Sequence, residues 1–195
     1  MKKIEIDIEN KILDAAIKVF AQEGFHNSDF NKIAKSADTT VDIIQSKFES
    51  KEAILNMIFE NIWKQLFQKI SLLVSDNKFT PIEKINLLID YFFDLFTADQ
   101  NLAIVFVNDQ INIPKSYHHW IKYYNQFLQD GEKILKDGMN EGIINKNIDI
   151  KIFCYFLFGG IRYLLDIWAK NPHSIQSDTL RQNLKQIIKK GLVYV

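Results

Sequence analysis

A run of polar side chains in the first quarter of the chain has the types and spacing needed to contact a polyanion. Hydroxyl, amide and ammonium groups at these positions can donate to phosphate oxygens or to base edges. A carboxylate at Asp42 would accept from cytosine or repel the backbone, and Val41 would touch a thymine methyl. The candidate contact residues are Ser28, Thr39, Thr40, Val41, Asp42, Gln45, Ser46, Lys47 and Lys51.

Charge makes this chemistry unusual. The whole chain has a formal net charge of zero, so no overall basicity indicates a nucleic-acid partner. Residues 1–52 contain eight lysines against ten acidic residues, which leaves a net charge of −2. Because phosphate neutralisation supplies the non-specific part of the affinity, the lysines must be concentrated on one face. Lys47 and Lys51 have suitable positions, and Lys51 would also stand at a helix N-terminus, which favours phosphate.

Other kinds of site have little support. Cys154 is the only cysteine, which excludes an internal disulfide and a multi-cysteine metal site. His118 and His119 are adjacent and would diverge on a helix, so no metal is expected. No glycine-rich phosphate loop or nucleophile elbow occurs, so we expect neither an enzyme nor a bound cofactor. The first residues do not resemble a signal peptide, and the densest apolar run, 152–161, is shorter than the roughly 20 residues of a membrane span. We expect a cytoplasmic protein that does not bind membranes.

The elements that would position these groups are helices. Apolar residues recur at helical spacing almost throughout, which predicts an all-α fold of about nine helices. Gly24 should end the first helix, Ser28 should cap the second, and Thr40 or Thr39 should cap a short third. Ser50 should cap a long fourth helix, and Pro81 suits the first turn of the fifth. Later helices are expected over about 101–112, 114–140 and 150–170, followed by a ninth that carries Leu180 to Leu192.

Two short helices joined by a tight turn behind a longer first helix form a helix-turn-helix. The stretches "ILDAAIKVFAQEGF", "KIAKSA", "DTTVDIIQSKF" and "SKEAIL" run without a gap from Ile12 to Leu55. Together they resemble the N-terminal pattern of the TetR family of bacterial transcriptional regulators. The resemblance implies a three-helix head joined by a long helix to a C-terminal helical domain that binds an effector and dimerises. We therefore expect a DNA-binding domain at residues 1–52 and an effector-binding and dimerisation domain at residues 53–195.

Departures from the family pattern concentrate in the turn and the recognition helix. The family's Gly-Val-Ser is replaced by Asp38-Thr39-Thr40, its second glycine by Asp42, and its tyrosine by Gln45. The apolar skeleton is kept, whereas positions that face DNA in the family have changed. Either the operator is unusual or DNA binding is weakened.

The second half of the chain is rich in aromatic residues, which predicts a roomy apolar interior. The same helices carry a set of polar residues, of which one or two would point inward to orient a ligand: Asn108, Asp109, Gln110, Arg162 and Asp166. The segment "DQNLAIVFVNDQ" resembles part of the fatty-acid-degradation regulators of the TetR family, which implies a long-chain acyl-CoA or another lipophilic effector. The candidate effector-binding residues are Phe92, Phe96, Phe106, Trp120, Tyr124, Phe127, Phe158 and Arg162.

The eighth helix is apolar on nearly every side, so it must be buried all round or against a partner chain. Family members pair their last two helices into a four-helix bundle, which implies a homodimer. The candidate dimer contacts are Phe156, Gly160, Tyr163, Leu164, Leu184, Ile188 and Leu192.

These patterns favour a homodimeric regulator, most often a repressor in this family, that binds a near-palindromic operator and is released by a small lipophilic effector. Two alternatives stay open at this point. One is a helical dimer that binds a lipophilic ligand and has weakened or lost DNA binding. The other is an all-α enzyme that uses the same cavity.

Overall fold

A computed structural model describes residues 2–173 and 175–193, without the side chains of residues 2–7, 111, 116 and 117. Within this part of the chain the regular structure is helical and no strand occurs, which confirms the all-α prediction. The α-helices are α1 (Lys2–Glu23), α2 (Phe30–Ser36), α3 (Val41–Lys47), α4 (Lys51–Ser75), α5 (Pro81–Thr97), α6 (Gln100–Asn108), α7 (Ile121–Asn140), α8 (Ile150–Lys170) and α9 (Ser177–Leu192). Two 3₁₀ helices, Gln110–Asn112 and Lys115–Trp120, lie between α6 and α7.

The helices form two compact units. The first contains α1, α2, α3, the part of α4 up to Ile62, α6 and both 3₁₀ helices. The second contains the rest of α4 from Trp63, together with α5, α7 from Lys122, α8 and α9. Compactness does not assign function, so the functional division between residues 1–52 and 53–195 stays a prediction.

The first unit is built around α1, which packs against α2 and α6. Its core contains Ile12, Phe20, Ile33 and Ile44, each 0–1% exposed. These residues occupy the inward positions of their helices, as the apolar spacing predicted. Burial of such side chains holds the short α2 and α3 in place, since helices of seven residues are not stable alone.

The caps of the two short helices are side-chain oxygens. Thr40 caps α3 by accepting a hydrogen bond from the Ile43 N–H at 3.3 Å, as predicted. The prediction that Ser28 caps α2 is wrong. Asp29 is the cap, and its carboxylate accepts from the Lys32 N–H at 2.9 Å. A carboxylate also interacts favourably with the positive end of the helix dipole, which a serine does not.

The turn between α2 and α3 contains a left-handed residue. Asp38 has a φ of 48°, and the Thr39 N–H closes the turn by donating to the Ala34 carbonyl at 3.0 Å. Glycine is favoured in this conformation, and aspartate is among the few other residues that adopt it. Asp38 therefore adopts a conformation that glycine, the family's residue at this position, reaches with less strain.

In the second unit, α5 packs against α9. Thr80 and Glu83 form a capping box at the start of α5, with Pro81 in the first turn as predicted. Lys185 of α9 then pairs with Asp90 of α5 at 2.5 Å. This ion pair and the apolar stripe of α9 fix the register of the two helices.

By length and composition alone, α8 could cross a membrane. The apolar run 152–161, which is too short to span a membrane, is therefore only part of a longer apolar helix. One such helix is weak evidence for a span, because core helices of soluble proteins pass the same test. Arg162 and Asp166 lie within this helix.

Candidate nucleic-acid interface and apolar cavity

The α3 helix presents a continuous exposed side. Ile44 is completely buried and holds α3 against the rest of the first unit. Asp42, Ile43, Gln45, Ser46 and Lys47 are exposed, whereas Val41 is half-buried. Thr39 is half-buried and Thr40 is exposed at the start of the helix. Seven of the nine predicted contact residues therefore lie together on α3 and the turn before it.

Two of the hydroxyl groups on this side already have partners within the helix. Thr40 Oγ1 accepts from the Ile43 N–H. Ser46 Oγ donates to the Ile43 carbonyl at 2.7 Å, so its hydroxyl hydrogen is directed at the helix backbone. The oxygen of Ser46 still has lone pairs to offer outward.

Lys51 folds back onto the loop between α1 and α2. Its ammonium group donates to the carbonyl oxygens of Phe25 at 2.7 Å, Ser28 at 3.1 Å and His26 at 3.3 Å. It also lies 4.6 Å from the centre of the Phe25 ring. An ammonium group has three hydrogens, so these carbonyls take up all of its donors. A phosphate contact from this side chain would have to replace one of them.

The neighbouring Asn27 carbonyl receives a hydrogen bond from Lys32 Nζ at 2.8 Å, and Lys32 also pairs with Glu23. Two lysines thus serve all four consecutive carbonyls of residues 25–28. The ammonium groups of Lys51 and Lys32 therefore bind groups of the protein itself.

Ser28 does not offer a donor to DNA in this structure. It is buried, its hydroxyl donates to the Phe25 carbonyl at 2.6 Å, and its backbone N–H donates to the same oxygen at 3.3 Å. The prediction of a DNA contact at Ser28 is therefore replaced by a role in holding the loop before α2.

Ile43 is an exposed residue that sequence reasoning missed. It is 40% exposed. The signal was present in the helical spacing: with Ile44 directed inward, the preceding residue lies about 100° round the helix and reaches its outer side.

An apolar cavity of about 90 Å³ lies in the second unit. Its walls come from α4, α5, α7 and α8. The lining residues are Ile70, Ile85, Leu88, Ile89, Phe92, Phe127, Leu128, Gly131, Ile134, Leu135, Phe153, Cys154, Leu157, Phe158 and Ile161. Burial raises the pKa of the Cys154 thiol to about 11, so the sulfur is an uncharged part of an apolar wall.

Aromatic rings form a cluster at one part of this wall. Trp63 contacts Tyr124, Phe127 and Phe158, with ring centres 4.8, 5.8 and 5.6 Å away. Burial lowers the pKa of the Arg162 guanidinium, and nearby Tyr124 and Asp166 oppose that shift. Burial likewise raises the pKa of the Tyr124 hydroxyl. Arg162 and Tyr124 therefore interact electrostatically, and the Tyr124 ring contacts Phe158 of the cavity wall.

The structure separates the predicted effector-binding residues. Phe92, Phe127 and Phe158 line the cavity, and Phe96 packs on Phe92 with ring centres 4.8 Å apart. Tyr124 contacts Phe158 at 6.0 Å between ring centres.

The other two aromatic candidates do not line the cavity. Phe106 and Trp120 belong to the first unit, where both rings pack on Phe59, with centres 5.8 and 6.2 Å away. Their aromatic character indicated burial, and the structure places that burial in the core of the first unit.

The predicted dimer contacts on α8 are exposed or half-buried, whereas those on α9 are buried. Phe156 and Tyr163 are 74% and 66% exposed, Gly160 is exposed, and Leu164 is half-buried. Ile152 and Tyr155 extend the exposed apolar side of α8.

The α9 residues in that prediction are on the wrong side of the helix. Leu184, Ile188 and Leu192 are buried within the protomer, on the helix that packs against α5. Ile187 is the exposed apolar residue of α9. An apolar stripe shows that a helix face is buried, but it does not show whether the covering surface is the same chain or a partner.

Asp109 is a buried carboxyl group in the first unit, 6% exposed. Burial raises its pKa from 3.8 to about 6, against the opposing effects of a hydrogen bond from Asn112 and the charge of His26. The Asn112 side-chain nitrogen donates to Asp109 at 3.0 Å. This carboxyl group follows α6, the helix that packs against α1.

Comparison with known proteins gives matches over most of the chain. The family model described as bacterial regulatory proteins of the tetR family matches residues 12–58. The model for the C-terminal region of YsiA-like proteins matches residues 59–191. A fatty acid metabolism regulator protein from Bacillus subtilis is 29% identical over 186 residues, covering 93% of this chain and 94% of its own length.

Solved structures agree with this match. The transcriptional regulator FadR of Bacillus subtilis, solved in complex with stearoyl-CoA, is 28% identical with a TM-score of 0.81. The alignment covers 93% of this chain and 97% of that one. The fatty acid degradation regulator FadR of Bacillus halodurans, at 23% identity, has a TM-score of 0.83 and coverage of 94% and 95%, which shows a shared fold.

Proposed function

The chain belongs to the TetR family of bacterial transcriptional regulators, and we propose that it represses its target genes until a long-chain acyl effector releases it from its operator. Members of this family act as dimers on operator DNA, so we place this protein in the cytoplasm with the chromosome. Its named relatives are regulators rather than enzymes, and we propose a binding function without catalysis.

The apolar cavity carries the proposal for the effector. Every side chain on its walls is aliphatic, aromatic or an uncharged thiol, which suits a hydrocarbon chain and excludes most polar metabolites. The relative FadR of Bacillus subtilis was solved with stearoyl-CoA, a ligand of this chemistry. The cavity holds about 90 Å³, below the roughly 300–1,000 Å³ of typical ligand pockets. Binding must therefore displace lining side chains, and Phe127 and Phe158 are the largest of those in contact with Trp63.

Arg162 supports the proposal because it would bind the polar end of such a ligand. Its guanidinium interacts electrostatically with Tyr124, whose ring contacts Phe158 of the cavity wall. A hydrocarbon chain in the cavity would leave its polar group near these two side chains. Guanidinium and phenol can donate to a thioester carbonyl or to a phosphate.

Effector binding would act on DNA binding through α4. This helix carries Ile70 of the cavity wall and also Lys51, which holds the loop before α2. Side chains that move to admit a ligand would displace α4 and, through it, the recognition helix α3. Such a ligand regulates only if it binds the released conformation more tightly than the DNA-bound one.

The DNA contacts proposed for α3 and its turn are Thr39, Thr40, Val41, Asp42, Gln45, Ser46 and Lys47. Exposure of these side chains supports this assignment. In a dimer, two copies of α3 would enter successive major grooves of a near-palindromic operator. Phe156, Gly160, Tyr163 and Leu164 of α8 are proposed as dimer contacts, and Ile187 is proposed as the contact from α9.

The experiment combines DNA binding with effector binding. Genomic fragments retained by the purified dimer would identify the operator, and fluorescence anisotropy would then measure affinity with and without stearoyl-CoA. We expect stearoyl-CoA to weaken operator binding at least tenfold, whereas free CoA leaves it unchanged. Calorimetry should show a negative heat-capacity change on binding of stearoyl-CoA.

A matched pair of variants locates the effector site. Phe127→Asp places a carboxylate in the apolar wall and should abolish stearoyl-CoA binding. Leu72→Asp introduces the same carboxylate at a residue of α4 that is 71% exposed and does not line the cavity, so it should bind normally. Stearoyl-CoA affinity that is equal in the two variants would remove the cavity from the proposal.

The negative charge of residues 1–52 favours one alternative, a ligand-binding dimer that has lost DNA binding. Asp38 and Asp42 are both exposed on the surface that would approach DNA. If the folded, effector-free dimer retains no duplex at low salt, and Asp42→Asn does not restore binding, this alternative replaces the repressor function.

A further inference from the structure

The outer side of α3 has two residues at its centre. Because Ile44 points inward, Asp42 and Ser46 each lie about 160° round the helix from it, on the side that faces outward. Ile43 and Gln45 flank this centre. Both central residues are exposed, so their chemistry decides which base edges the helix accepts.

Both central groups are hydrogen-bond acceptors. An ionised aspartate has no hydrogen to donate. The Ser46 hydroxyl hydrogen is directed at the Ile43 carbonyl at 2.7 Å, so the oxygen presents lone pairs outward. In the major groove the matching donors are the amino groups of cytosine and adenine, whereas guanine presents two acceptors there. A guanine opposite this centre would place its two acceptors against the acceptor oxygens of Asp42 and Ser46.

Ile43 adds an apolar group at the edge of the same surface. Among the described residues of the first unit, it is the single large apolar side chain that is exposed. Its neighbours Asp42 and Lys47 are charged, so an aliphatic side chain at this position gains nothing from water. In the major groove the apolar group that can cover it is the thymine methyl.

We infer that α3 selects operator half-sites in which Ile43 covers a thymine methyl while Asp42 and Ser46 accept from the amino group of adenine or cytosine. A single A·T pair presents both features on its major-groove edge. This specificity rests on the proposed DNA binding by α3. Base contacts make a large difference to the total affinity here, because residues 1–52 have a net charge of −2 and supply little non-specific affinity.

Replacing thymine by uracil tests the contact, because uracil lacks only the methyl group. The operator would be selected from random duplexes with the full-length dimer, and each thymine would then be replaced singly. We expect one thymine in each half-site where the replacement weakens binding about fourfold, the effect of losing one buried methyl group.

The Ile43→Ala variant should lose a similar factor on the unmodified operator and no further affinity with uracil at that position. The control variant is Leu72→Ala, which truncates an exposed aliphatic residue in the second unit and should keep the full sensitivity to uracil.

A second arm tests the acceptor centre. Wild type should bind much more weakly to an operator that has guanine at the position opposite Asp42. Asp42→Asn should reduce that loss of affinity at least tenfold, because its amide can donate to guanine. Equal rejection by the two proteins overturns this part of the inference.

The outcomes separate the inference from the proposed function. A selection that enriches no sequence overturns both. An enriched operator on which no uracil replacement weakens binding overturns the Ile43 contact alone. Loss of uracil sensitivity in Val41→Ala but not in Ile43→Ala assigns the methyl contact to Val41 and also overturns it.

Discussion

Lys51 offers the sharpest test of the difference between a charge that binds DNA and a charge that holds the fold. The charge pattern and the position at a helix N-terminus indicate a phosphate contact, whereas the structure directs all three ammonium hydrogens to carbonyls of the loop before α2. The perturbation is Lys51→Met, which keeps a long apolar side chain against the Phe25 ring and removes only the donors and the charge.

The expected loss follows from those contacts. The hydrogen bonds to the Phe25 and Ser28 carbonyls are partly buried, and the one to His26 is exposed. Hydrogen bonds from charged groups contribute about 1.5–3 kcal/mol when shielded, and exposed ones contribute little because water replaces them. The Phe25 carbonyl keeps its bond from the Ser28 hydroxyl, which reduces the loss. We expect the first unit to be destabilised by about 2 kcal/mol.

Two measurements are needed, with Lys47→Met as the matched control. Hydrogen exchange of the α2 amides reports the opening free energy of the first unit. Anisotropy on a random duplex over a range of salt concentrations reports the number of phosphate contacts.

Lys51→Met should speed exchange about thirtyfold and leave the salt dependence unchanged. Lys47→Met, on the exposed side of α3, should change exchange less than Lys51→Met does and make the salt dependence shallower by about one unit. If Lys51→Met leaves exchange unchanged and lowers the slope by one, the loop-holding role is refuted and the phosphate contact stands.

Three further predictions concern separate parts of the molecule. Burial raises the pKa of Asp109 to about 6, so the fold gains stability as pH falls from about 7 towards 4 and loses it as pH rises through 6. Asp109→Asn should therefore unfold with a free energy about 1–3 kcal/mol higher than wild type at pH 7.5, and urea titrations should show the advantage gone by pH 4. Asp38→Gly should stabilise the protein by about 1 kcal/mol in urea unfolding, because glycine adopts the left-handed turn without strain; a loss of stability would contradict this. Phe156→Asp should give a helical monomer of 22.9 kDa by light scattering, whereas Leu184→Asp should lose helicity in circular dichroism because Leu184 is buried in its own protomer. A dimeric Phe156→Asp would remove this side of α8 from the interface.

Helix positions followed well from the sequence, because apolar spacing and capping residues are local signals. The interval 150–170 was predicted for the eighth helix and is observed. The helix expected from Pro114 instead begins with the 3₁₀ helix Lys115–Trp120, which is kinked at His118, where ψ is 42°. That distortion accompanies contact of the His118 ring with the Ile113 carbonyl at 3.0 Å, which the helical spacing does not indicate.

The candidate sites were harder to predict because they depend on which surface covers each side chain. Leu184 and Phe156 are both apolar residues on helices, yet one faces its own protomer and the other faces outward. Phe106 has the same aromatic signal as Phe92, but only Phe92 lines the cavity. Lys51 has a long flexible side chain, and nothing in its sequence neighbourhood shows that it turns inward.

If the proposed acyl effector binds in the cavity, the small cavity volume of about 90 Å³ makes the protein a filter for chain length. Moving the rings of Phe127 and Phe158 carries a free-energy cost that is the same for every ligand, while the gain from burial grows by about 0.8 kcal/mol with each methylene, or about fourfold in affinity. A short acyl thioester recovers too little to open the wall. A cell that uses this regulator could hold short acyl thioesters at high concentration without switching the genes, and it would respond steeply once chains exceed the length that offsets the displaced rings.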